Sequence, residues 1–327
     1  MGLRSTETMK AIQVHTFGNP EVLTYDDVPR PVVGPGEVLI RVHAAGVNPG
    51  DWKQRSGLEN IPEEMRAAYL PPLPYIPGWD VSGVVEKVGP GVGAFREGDA
   101  VYGMLRFPSQ TASAYAEYVT APATDLARKP ASIDHVAAAA MPMVALTAWQ
   151  ALFEHAEMEA GQTVLVNGAA GGVGHFAVQL AKARGARVIG VASGRHEAFL
   201  RELGVDQYID YTATAVEKAA QDVDLIIDMI GGENLDRLLD VLKRGGTLIQ
   251  ISGGNYSSEH AAAAGVTVKR MQVRSNGAQL GEIGELVDAG HIRVAIDTVV
   301  PLAEAYRAHR RAEEQHIQGK IVLKVVE

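Results

Sequence analysis

Residues Thr163–Ser193, TVLVNGAAGGVGHFAVQLAKARGARVIGVAS, decide the fold. Thr163–Val166 is a short apolar, β-branched run that ends in a glycine-rich turn, Gly168–Gly174. Beyond the turn, Phe176, Val178, Leu180 and Ala181 recur at roughly helical spacing as far as Gly185, and Arg187–Val191 supplies a second β-branched strand. The unit reads strand, helix, strand. Such a unit binds dinucleotides because glycines let the backbone approach a pyrophosphate and the following helix aims unsatisfied N–H groups at it. The pattern here is Ala169-x-Gly171-x-x-Gly174, with alanine where the fingerprint usually starts with glycine, and a lone glycine triplet is equally compatible with a structural turn. The flanking strands favour the binding reading, which makes Ala170, Gly171, Gly172, Val173 and Gly174 the candidate phosphate cradle.

The end of the second strand bears on which dinucleotide. A carboxylate at that position normally accepts hydrogen bonds from the adenosine ribose, about 20 residues past the turn. Here the chain runs Ser193-Gly194-Arg195-His196. A hydroxyl and a cation in that place suit a 2′-phosphate, so NADP(H) is expected over NAD, with Ser193, Arg195 and His196 as candidate ligands; the alternative is that Arg195 is a solvated surface charge.

The remaining composition narrows the class. A chain of 327 residues suggests about two domains, and a net charge of −9 without a basic stripe argues against nucleic-acid or anionic-membrane partners. The absence of cysteine removes disulfides, thiolate metal sites and cysteine nucleophiles together. No apolar stretch matches a secretory signal or a membrane span, so a cytoplasmic protein is expected.

Along the chain, Lys10–Thr16 and Leu23–Val28 read as a hairpin around Gly18-Asn19-Pro20, and Glu37–Ala45 as a strand with one strongly apolar face. That strand runs into Gly46–Asp51, expected to be a loop with a polar cluster. Pro62–Tyr69 suggests a short helix in a lid or pocket wall. Val81–Val88, Asp99–Tyr102 and Tyr115–Thr120 continue the β pattern. Ser132 is the expected cap of a helix over Ile133–Ala140, with Pro142 opening a second helix that ends near His155. After the β-α-β unit, helices over Glu197–Leu203, Thr214–Ala220 and Asn234–Leu242 alternate with strands over Gln207–Ile209, Leu225–Met229 and Thr247–Ile251. The expected fold is therefore α/β, a doubly wound parallel sheet of Rossmann type plus a β-rich domain. Its parts are residues 1–125, the dinucleotide-binding 126–275, and 276–327 returning to the first domain. In a doubly wound sheet the cofactor lies at the strand mouths, which points to Ile251 and Ser252, while Gly319 and Lys320 in the returning tail are expected to complete the pocket. Val266–Val273, if an edge strand, would expose unpaired backbone unless it met another copy, so a homodimer is expected.

The AAGGVG loop with AAGVNPGDWK, PYIPGWDVSGVVEKVG, LTAWQAL and GKIVL resembles the zinc-independent branch of the medium-chain dehydrogenase/reductase superfamily over essentially the whole chain from Met9. Within it the sequence is similar to NADPH:quinone oxidoreductases and alkenal or enone double-bond reductases. The resemblance implies a GroES-like catalytic first domain. It also implies that Asn48 stands where zinc-dependent relatives carry a Cys ligand and Trp79-Asp80 where they carry a His-Glu pair, so no catalytic metal is expected. Asn48, Asp51 and Lys53 then fall where the superfamily builds its active site. Against this, Asn48 and Asp51 are also residue types that fix turns through their own backbone. The resemblance further implies that Thr147 faces the nicotinamide ribose and Tyr211 the 2′-phosphate. Trp52 replaces a tyrosine seen in several relatives, and Tyr69, Tyr75, Tyr102 and Tyr115 are each either proton donors or, more simply, buried rings.

Without a Lewis acid, reduction of an isolated carbonyl forgoes several kcal/mol of transition-state help. Conjugated acceptors avoid part of this cost, since the charge spreads into an enolate or an aromatic hydroquinone that ordinary donors can stabilise. The expected activity is metal-free, NADPH-dependent reduction of a quinone or of the β-carbon of an α,β-unsaturated carbonyl. An enoyl-thioester reductase, or a non-catalytic NADPH-binding sensor or structural protein, is the alternative.

Overall fold

The computed structural model describes residues 7–59, 63–66, 69–107, 113–232, 235–314 and 316–326. The N-terminal half supplies β1 (Thr8–Val14), β2 (Leu23–Pro29), β3 (Glu37–Val47), β4 (Asp80–Val88), β5 (Ala100–Met104), β6 (Tyr118–Pro122) and β7 (Leu126–Arg128). Next come β8 (Thr163–Asn167), β9 (Arg187–Ala192), β10 (Gln207–Asp210), β11 (Val223–Asp228), β12 (Leu242–Gln250) and β13 (Thr267–Arg270). The chain closes with β14 (Ile296–Pro301) and β15 (Lys320–Lys324).

Strands β8 to β13 form one parallel sheet in the order β10-β9-β8-β11-β12-β13, with Leu165 of β8 level with Ile189 on one side and Ile226 on the other. The chain leaves β8 in one direction and returns to β11 on its opposite side, so a crevice opens at the carboxyl ends of these two strands. β13 lies at the sheet's edge. The other large sheet runs β14-β15-β3-β4-β5-β7, with β6 also pairing β3, and β15 lies antiparallel to β3. The tail thus joins the first domain's sheet, which also takes in Leu126–Arg128, past the expected boundary at residue 125.

Between the sheets runs the helix Pro142–Trp149, in which Pro142 and every residue from Val144 to Trp149 are buried. A helix with no polar face is one covered on all sides. It packs on the helix Gly172–Ala183 and on β5, so the glycine turn and the first domain share one apolar core.

Several local expectations need correcting. The Gly46–Asp51 loop is the end of β3 followed by a helix, Pro49–Arg55, in which proline takes the first position because its missing N–H has no partner there to lose. Ser132 does not cap the next helix. Asp134 does, accepting from the Ala137 N–H at 2.8 Å, because Ser132 is occupied by Asp288, which accepts both its N–H and its hydroxyl. The helix expected over Asn234–Leu242 is a 3-10 run, Leu235–Val241, with Leu242 opening β12; Asn234 lies outside the described residues. Of Pro62–Tyr69, Glu63–Arg66 is helical, while 62, 67 and 68 lie outside the described residues. Ala305–Glu313 forms a further helix.

Candidate active site

A cleft of about 490 Å³ opens where the two sheets meet, at the crevice the strand order creates. It brings together Asn48, Lys53, Thr147, Gly171, Gly172, Val173, Gly174, Ile251, Ser252, Gly319 and Lys320 from the sequence-based candidates. Asp51, Ala170, Ser193, Arg195, His196 and Tyr211 do not line it.

On the first-domain side the helix Pro49–Arg55 sets the geometry. Asp51, its third residue, accepts the Asn48 backbone N–H at 2.7 Å and so closes the helix start. The same buried carboxylate takes the Gly78 N–H and the Tyr115 hydroxyl, and burial pushes it up to about 7. Asp51 is therefore a turn-fixing residue beneath the cleft and not a group that meets substrate, which corrects its expected catalytic role. Asn48 is the residue that caps this helix start, and its carboxamide also reaches across to two other elements. Its Nδ2 donates to Asp80 Oδ2 at 2.9 Å, and its Oδ1 accepts from Lys320 Nζ at 2.5 Å.

Lys320 is a buried cation, 4 % exposed, that also donates to the Val47 carbonyl and stands 4.0 Å from Asp80. Burial raises the Asp80 carboxyl to about 6, with Lys320 pulling against that rise, and burial lowers the Lys320 ammonium. Asp80 also accepts the Met143 N–H at 2.9 Å, tying the site to the buried helix. Lys53 is exposed at the rim, 5.5 Å above the Trp52 ring. Thr147 donates its hydroxyl back to the Met143 carbonyl at 2.6 Å, which leaves only its oxygen lone pairs for the cleft.

On the second-domain side Gly171 caps the helix Gly172–Ala183. A Cβ on Gly174 would lie 2.2 Å from the Gly168 carbonyl oxygen, so that glycine is required for the turn itself, whereas a Cβ on Gly171 would face almost open space. Gly172 abuts the Lys320 side chain, and Ala170, buried behind the turn, accepts the Gly319 N–H at 2.9 Å. Two buried hydroxyls, Ser193 just past β9 and Ser252 just past β12, have no hydrogen-bond partner among the described residues. Buried polar atoms are rarely left so. Arg195 is exposed beside Ser193, and Tyr211, 49 % exposed, follows the neighbouring strand β10. His196 is turned away from this group, its Nδ1 held 3.1 Å from Gln318 Oε1. An open glycine turn at a helix N-terminus, flanked by partnerless hydroxyls, is a set of donors that fits a dinucleotide laid across the strand ends.

Sequence reasoning missed the cleft's apolar walls: Phe107, Met143, Met271, Val273 and Ile317, with Phe107 held edge-on to Trp79 at 5.5 Å. These come from separate elements with no motif in common, so only their convergence reveals them. None of Tyr69, Tyr75, Tyr102 or Tyr115 lines the cleft; Tyr102 donates to the Leu280 carbonyl and Tyr115 is buried against His309. Among the described residues, no group of three or more His, Asp or Glu is placed to hold a metal ion.

The chain matches an alcohol dehydrogenase GroES-like domain family over residues 34–131 and a zinc-binding dehydrogenase family over residues 203–323. It is 34 % identical to the mitochondrial NAD(P)H oxidoreductase RTN4IP1 of Mus musculus, with 99 % of this chain and 90 % of that protein covered. To the quinone oxidoreductase of Mus musculus it is also 34 % identical, over 92 % of this chain and 93 % of the relative. Among solved structures, the quinone oxidoreductase from Coxiella burnetii superposes with a TM-score of 0.87 at 36 % identity, covering 98 % of this chain and 100 % of that one. Mycobacterial Rv1454c, solved in complex with NADPH, superposes at 0.82 with 32 % identity, covering 97 % and 100 %.

Proposed function

The chain belongs to the zinc-independent, quinone oxidoreductase branch of the medium-chain dehydrogenase/reductase superfamily, and we propose that this nicotinamide-dependent oxidoreductase uses NADPH to reduce a quinone or the β-carbon of an α,β-unsaturated carbonyl. The observation that carries the reading is the make-up of the cleft. Its walls are apolar, its lysines number two, and among the described residues no carboxylate lines it.

Such a cleft takes a neutral, flat, conjugated molecule and strips it of water, which strengthens every hydrogen bond made inside. The bound nicotinamide supplies the hydride. Phe107, Trp52 and the methionines hold the acceptor, the Asn48 amide offers a hydrogen bond where negative charge develops on its oxygen, and the glycine turn carries the pyrophosphate. Ser193 and Arg195, with Tyr211 beside them, support the preference for the phosphate-bearing cofactor, because a buried hydroxyl and a cation stand where NAD enzymes place a carboxylate. β13, at its sheet's edge, supports a homodimer built by pairing with its counterpart.

Purified protein is tested with NADPH against a naphthoquinone, an enone and an enoyl thioester. Cofactor oxidation with the quinone or the enone supports the reading. Oxidation confined to the thioester selects an enoyl-thioester reductase, and no oxidation with any of them selects a binding protein.

A further inference from the structure

Beside Asn48 lies Lys320, only 4 % exposed, of a residue type almost never buried unless it is paired. Lys320 and Asp80 grip the two ends of one carboxamide: the ammonium donates to Oδ1 at 2.5 Å, and the carboxylate accepts from Nδ2 at 2.9 Å. A carboxamide held between a cation and an anion cannot rotate end for end without placing N–H against ammonium and C=O against carboxylate. Its Nδ2 carries two hydrogens. One goes to Asp80; the other has no acceptor among the described residues, and Asn48 lines the cleft.

We propose that Lys320 and Asp80 are positioning residues that lock the Asn48 carboxamide so that its second N–H points at the acceptor oxygen on which charge develops. This rests on the reading of the site as a reductase of conjugated carbonyls. The lock holds this donor in place, so it needs no rearrangement during the reaction. Two other roles fit a buried lysine: a salt bridge that serves folding alone, or a cofactor contact, since the lysine stem passes the Gly172 turn.

The test uses Lys320→Met and the double variant Lys320→Met/Asp80→Asn, which removes both charges and keeps the comparison available if the single variant, left with an unpaired buried carboxylate, does not fold. Steady-state kinetics with a naphthoquinone, NADPH affinity by fluorescence quenching, and the side-chain amide signal of Asn48 in 15N-Asn-labelled protein, assigned by its loss in Asn48→Ser, are measured together. Losing one oriented donor costs on the order of a hundredfold in kcat. The expected result is a loss of that order with NADPH Kd changed by less than about threefold, and an Asn48 amide pair that loses its slow exchange. Wild-type kcat in the double variant overturns the proposal, as does a loss confined to NADPH affinity, which would make Lys320 a cofactor ligand. If wild-type protein turns over none of the acceptors, the reductase reading fails by itself. The amide signal then decides the lock: an Asn48 pair that exchanges as slowly in the variant as in wild type refutes it.

Discussion

The backbone N–H of Gly319 meets the carbonyl of Ala170 at 2.9 Å, tying the strand that completes the first domain's sheet directly to the glycine turn of the second. Gly319 has φ +78°, and a Cβ there would lie 2.2 Å from the Ala295 carbonyl oxygen. Gly319→Ala therefore has to move one partner of this contact. The expected cost is roughly 1–3 kcal/mol, visible as a lower midpoint in denaturant, together with weaker NADPH binding. Unchanged affinity would mean that the contact does not shape the cradle.

The glycines of the turn differ in what they tolerate. Gly174→Ala drives a methyl into the Gly168 carbonyl and is expected to unfold the turn, whereas Gly171→Ala meets almost nothing in the protein. Gly171→Ala is expected to keep the wild-type midpoint and lose NADPH affinity, because the added methyl occupies space that a pyrophosphate needs. Calorimetry for stability and titration for binding separate the two effects, and a Gly171→Ala protein that binds NADPH normally would place the phosphates elsewhere.

Much of this arrangement was legible in the residues. The β-α-β unit declared itself through β-branched strands around a glycine turn, and Ser193 stood where a carboxylate was expected. The helix after Asn48 is hard to see in the sequence, although Asn48-Pro49-Gly50-Asp51 carries a capping signal, because proline and glycine side by side equally suit a loop. The helix Ala305–Glu313 buries Ala305, Ala308, His309 and Ala312 at helical spacing opposite Arg307 and Arg310, so its periodicity is legible, but the buried stripe holds no large aliphatic side chain to announce it. Lys320 could be placed in the pocket by its motif. Its ion pair could not, because Asp80 and Asn48 are brought to it only by the pairing of β15, β3 and β4.

Cofactor choice turns on Arg195. A charge-assisted hydrogen bond contributes about 1.5–3 kcal/mol, so Arg195→Ala is expected to weaken NADPH by about ten- to a hundredfold and leave NADH nearly unchanged. Titration of both cofactors checks it. Equal losses for the two would remove the arginine from the 2′-phosphate site.

Acid stability turns on buried histidines. His175, fully buried, accepts the Ala295 N–H at Nε2, and its Nδ1–H faces the Gly171 carbonyl at 3.0 Å, so the neutral ring is satisfied on both sides. Burial lowers it to about 4. The unfolded chain takes up this proton first, so the contribution is full above the ordinary histidine range and is lost as pH falls through it toward 4. Asp51 and Asp80, raised by burial, act in the opposite sense and withdraw stability as pH rises toward 7. His175→Gln removes one of the acid-sensitive groups, so its denaturant midpoint should fall less steeply than that of wild type on acidification from pH 6.5 to 4. Parallel curves would show that the ring titrates normally in the fold.

In the proposed reaction, hydride reaches the β-carbon of a conjugated system whose oxygen is held by Asn48. This is tested most directly by reducing cyclohexenone with NADPH carrying deuterium at the transferred position and locating the label in the product by NMR. The expected product is cyclohexanone labelled at the β-carbon. An allylic alcohol labelled at the carbonyl carbon would contradict it.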